Sequence, residues 1–191
     1  MLSSLTPETL GFLQLGSGGF VLDVDLEAPT VADLRHRLAE ALASPDHTLG
    51  YARNGGCFRC TPALRSPQQA AHRPPTYDDT LLDGWTVTLS GTLSEVSPTH
   101  LQRLLPAAHL ERTGRLTTLT PQPDLIPEHY IPQLVWVGDT PEGLLAIELT
   151  HVLNTPGMAL HFLDRGEGTL PFEFRAHGEG PQAPCRILYL E

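Results

Sequence analysis

Phe20, Leu22, Val24 and Leu26 alternate with Val21, Asp23 and Asp25, the period-two pattern of a strand with one buried face. Just ahead, residues 11–15 read as a short strand and Gly16-Ser17-Gly18-Gly19 as a tight hairpin turn, because glycine takes positive φ without steric cost. After Pro29 the period becomes helical. Val31, Leu34, Leu38 and Leu42 share one face, opposite Arg35, His36, Arg37 and Glu40. Thr30 and Asp33 have capping-box spacing, and Ser44-Pro45-Asp46 stops the helix near residue 43. A strand is predicted over about 48–53, and Trp85, Val87 and Leu89 alternating with Thr86 and Thr88 predict another.

Beyond Ser97, Leu101, Leu104 and Leu105 predict a short helix that ends at Pro106. Strands are then predicted at about 116–119, 133–137, 144–152, 158–163, 170–176 and 185–190. Turns such as 139–143 separate them, which suggests an antiparallel meander.

The element order over residues 10–92 resembles the β-grasp plan of ubiquitin-like domains. Tyr77-Asp78-Asp79-Thr80-Leu81-Leu82-Asp83-Gly84 is similar to the acidic turn, leucine and glycine that precede their last strand. The resemblance implies an α+β fold in two domains. Residues 10–92 would be an N-terminal ubiquitin-like β-grasp domain with a Cys-x-x-Cys loop insertion at about 56–77, and 98–191 a small β-rich antiparallel meander domain with a short helix. It also implies one core in which Val31, Leu34 and Leu38 meet Phe20, Leu22, Trp85 and Val87. A Gly-Gly tail is missing, since Ser90-Gly91-Thr92-Leu93 runs on and Tyr189-Leu190-Glu191 holds no glycine, so the protein is expected not to be a conjugated modifier itself. Leu134-Val135-Trp136-Val137, the turn 138–143 and the strand 144–149 resemble a hairpin of ubiquitin-conjugating and RWD domains. That resemblance would place Cys185 near the active cysteine, but no His-Pro-Asn precedes it.

The 191 residues are 40% hydrophobic, enough for a real core, while 17 glycines and 18 prolines favour short elements. Net charge is −10 and all twelve basic residues are arginine. Without a basic patch, nucleic-acid binding is not expected. Absence of lysine fits a GC-rich, bacterial genome. No apolar run is long enough to cross a bilayer and no leader pattern opens the chain, so no membrane association is expected. An odd cysteine count argues against a secreted disulfide framework, which makes the cytoplasm the expected compartment.

Cys57-Phe58-Arg59-Cys60 has the spacing of a zinc knuckle or redox dithiol, and His72 is the nearest further ligand, so Cys57, Cys60 and His72 form a candidate zinc set. His151, His161 and Glu148 are a second grouping, but odd spacing puts Glu148 and His151 on opposite strand faces. No nucleophile elbow, phosphate loop, dinucleotide fingerprint or H-E-x-x-H occurs, so no catalytic residue is assigned. The leading expectation is a non-enzymatic protein–protein interaction protein without a cofactor, docking a protein partner through sheet positions such as Val21 and Thr88. The alternatives are a zinc-binding protein or enzyme built on Cys57 and Cys60, and a ubiquitin-pathway component with a degenerate second domain.

Overall fold

The computed structural model describes residues 15–27, 30–66, 80–141, 143–162, 164–178, 180 and 183–190. Among the described residues, ten strands and two α-helices follow in the order β1 (Leu15–Leu22), α1 (Val31–Ala43), β2 (Thr48–Tyr51), β3 (Gly56–Arg65), β4 (Leu81–Leu93), α2 (Pro98–Leu104), β5 (Ala108–Thr113), β6 (Leu116–Pro121), β7 (Ile131–Asp139), β8 (Leu144–Asn154), β9 (Leu170–Ala176) and β10 (Cys185–Leu190). Eight strands make one antiparallel sheet in the order β2-β1-β7-β8-β9-β4-β3, with β10 also on β8; β5 and β6 form a separate hairpin. Among the described residues, no helix is long and apolar enough to cross a membrane.

This corrects the expected α+β class: the fold is mostly β, and strands from both sides of the expected division at 92–98 pair in one sheet. The physical reason lies in β1. Its two faces are both apolar and both buried, so its alternation does not mark a single core. Phe20 and Leu22 join an inner cluster with Val87, Leu89, Leu134, Leu149, Phe172 and Phe174. Val21 joins an outer cluster with Leu34, Leu38, Val135, Val137 and Ala146. Helix α1 therefore covers the outer face of β1, β7 and β8, and its leucines do not share a core with Phe20, Leu22 and Val87. Val31 and Trp85 are partly exposed. At Asp23 the backbone turns to φ +52, ending the strand and sending Val24 and Leu26 under the helix. Thr30 caps α1 as its spacing predicts, its Oγ1 accepting from the Asp33 N–H at 3.1 Å.

The end strands of the sheet, β2 and β3, are consecutive in the chain and joined by residues 52–55, so the sheet curls back on itself. Phe20 of β1 meets Phe172 of β9 edge to face at 5.2 Å across the interior. Strand β8 serves two partners along one edge, β10 over Leu144–Leu149 and β9 over Val152–Asn154. His151 at φ +46 marks the change. One end of the curl is plugged by Leu101 and Leu104 of α2. Asn154 fixes that plug: its Nδ2 donates to the Leu104 and Gly157 carbonyls, both at 2.7 Å, and its Oδ1 accepts from the Glu173 N–H at 2.8 Å.

On the outer face, the buried Glu148 carboxylate accepts from Gln133 Nε2 at 2.6 Å and from Arg186 Nε, and Arg186 also reaches Glu27. The other end of the Gln133 amide accepts the Val24 N–H at 2.7 Å, tying the β1–α1 connection to the sheet. Burial pushes the Glu148 pKa up, but the Arg186 and Gln133 hydrogen bonds outweigh it and hold the group below 4.5. A carboxylate depressed in the fold adds stability above its unfolded pKa and loses it as pH falls through the folded one. Glu148→Gln should thus cost about 2 kcal/mol at pH 7. Urea unfolding of the two proteins at pH 7 and pH 3 should show the gap shrinking in acid.

Candidate functional site

The glycine run that reads as a hairpin turn lies inside β1. Leu15 faces Asp139 and Gly19 faces Val137, so β1 takes four steps where β7 takes two. The excess forms a bulge in which Gly16 and Gly18 adopt φ +74 and +69. Under this bulge lies the Trp136 indole. A Cβ on Gly18 would fall 2.6 Å from indole Cε2 and 2.5 Å from the Val137 carbonyl oxygen; one on Gly138 would fall 2.7 Å from Cζ2. The indole is lodged between two residues that must lack side chains.

That ring forms one wall of a cavity of about 280 Å³ at the end of the curl opposite α2. Phe20, Phe58, Leu89, Leu145 and Ile147 supply the other apolar walls, and Gly16, Gly55, Gly56 and Cys57 form the rim. Such a mouth is where small-molecule sites form in curled sheets. The same glycine run separates it from an outer cleft of about 660 Å³, bordered by Arg35, Leu38 and Ala39 of α1 and by Asp139, Thr140 and Pro141. Thr140 Oγ1 and the Tyr189 hydroxyl hydrogen-bond at 3.2 Å near that cleft. The outer cleft is broad and mixed in polarity, whereas the inner cavity is enclosed largely by aromatic and aliphatic groups.

The Cys-x-x-Cys segment is a strand, β3, and not a loop insertion; residues 67–79 lie outside the described residues. Three residues along a strand reverse the side chain. Cys57 is exposed and its Sγ donates to the Phe58 carbonyl, while Cys60, opposite the buried Val87, packs against the inner cluster. The pair therefore does not converge on one ion, and His72 lies outside the described residues. Among the described residues, no three His, Cys, Asp or Glu side chains gather as a metal requires. His151 and His161 are exposed, and Glu148 is committed to Arg186 and Gln133. Val21 is fully buried under α1, which removes it from any docking surface. Thr88 is half-buried between Arg59 of β3 and Arg175 of β9.

Trp136, Gly138, Phe58 and Leu145 have no assigned role in the sequence reading. The available signal is a glycine two positions beyond a tryptophan on the same strand face, a spacing that leaves room for a ring to lie over backbone. No family model matches the chain, and no curated protein does. Fold and site thus define its class: a curled antiparallel β-protein, plugged at one end by a helix and open at the other into an aromatic cavity.

Proposed function

We propose that this protein is a non-catalytic binding protein that takes a small, flat, apolar molecule into the cavity beside Trp136. The observation that carries this reading is the indole held between Gly18 and Gly138, which keeps an aromatic wall rigid at no cost in side-chain freedom. Six apolar side chains line the space, so recognition rests on shape and apolar contact.

Toluene and indane serve as probes, with Trp136 emission followed in a Trp85→Phe background. Ligands of this size should bind with Kd of roughly 0.1–1 mM. Leu145→Phe narrows the cavity without adding an emitter and should weaken binding at least tenfold with little change in Tm. No emission change up to the solubility limit, or equal affinity in Leu145→Phe, would sink the reading.

Docking of a protein partner is the second reading, on a different surface. It is favoured by Leu64, Leu82 and Trp85, exposed where the β3–β4 ribbon extends beyond its pairing with β9, and by Ile187 on β10.

A further inference from the structure

Cys60 and Cys185 stand 125 positions apart in the chain and on strands that are not hydrogen-bonded neighbours: β3 pairs with β4, and β10 with β8. Register turns both thiols inward, because Cys60 lies opposite buried Val87 and Cys185 opposite buried Leu149. Both pack against the inner cluster, and the Cys60 thiol is near enough to act on that of Cys185. Each keeps partial exposure, whereas Cys57 faces away from both on the outer surface.

We infer that Cys60 and Cys185 are a redox modification site, forming a reversible disulfide that staples β3 to β10 across the inside of the curled sheet. Burial and the neighbouring Cys60 thiol push the Cys185 pKa up to about 11, so Cys185 keeps its proton at neutral pH and the first attack falls to Cys60. The oxidant is a low-molecular-weight disulfide. The Cys60 thiolate attacks one of its sulfurs, forming a mixed disulfide and expelling one small thiolate, which is protonated by solvent. Cys185 then gives its proton to water and attacks the Cys60 sulfur, expelling the second small thiol. Two protein thiols lose two electrons, and one small disulfide becomes two thiols.

The test equilibrates the full chain in oxidised and reduced glutathione at graded ratios, quenches with acid, alkylates and maps peptides by mass spectrometry. The expected product is a Cys60–Cys185 cross-linked peptide with Cys57 alkylated. Cross-linking a segment this long should raise Tm by roughly 5–15 °C, reversed by dithiothreitol. Cys57→Ser should leave the shift intact, and Cys185→Ser should abolish it and accumulate the mixed disulfide at Cys60. A cross-link through Cys57, or three alkylated thiols at every ratio, overturns the assignment.

Discussion

Asn154→Ala should lower stability by about 3–5 kcal/mol, the larger of two strong effects, because it strands three backbone groups at once, one of them fully buried, and empties a buried side-chain site. Asn154 is fully buried, and its amide joins the end of α2, the turn at Gly157 and β9 through one side chain. Its partners are main-chain groups, the Leu104 and Gly157 carbonyls and the Glu173 N–H. Asn154→Leu restores apolar volume but none of these bonds, so it should fare no better. For a chain of this length the loss corresponds to a Tm roughly 10 °C lower, measurable by calorimetry. An alanine variant within 1 kcal/mol of the parent would mean that water enters and replaces the amide.

Gly138→Ala is the second, expected at about 2–4 kcal/mol by urea denaturation, since the new methyl occupies space held by the Trp136 ring. Displacing the indole should also shift its emission to the red and abolish toluene binding. The decisive measurement is a double-mutant cycle. In a Trp136→Ala background, Gly138→Ala should cost at least about 1 kcal/mol less than in the parent, because the obstructing ring is gone. Equal costs in the two backgrounds would locate the strain in the backbone instead. Gly18→Ala should resist such rescue, because its φ is +69 and its Cβ would also meet the Val137 carbonyl.

Local structure was legible where one physical rule acts alone. The Thr30 cap, Leu34, Leu38 and Leu42 of the α1 stripe, the β7–β8 hairpin and the bounds of β9 and β10 agree with the sequence pattern. What failed was partner choice. Phe20, Leu22 and Val21 are all buried, so β1 carries two apolar faces, and only a long-range contact decides which meets the helix. Strand β3 leaves little period-two signal because it is an edge strand, polar outward and interrupted by Pro62, the composition by which edges resist further pairing. Its strand parity is what separates Cys57 from Cys60. The expected strand at 158–163 reduces to a single bridge between His161 and Thr169. The glycine run signals positive φ, but a bulge and a turn make the same demand on φ, and only the register against β7 tells them apart.

The pairing of β1 with β7 has a consequence for biosynthesis. Leu22 and Leu134 are register partners about 110 residues apart. A ribosome adding 5–20 residues per second needs roughly 5–20 s to supply that stretch. During translation the first strand and its helix wait, apolar on two sides, for a mate not yet made. The nascent chain is thus a natural client for holding factors, and final closure belongs to the period after β7 and β8 emerge.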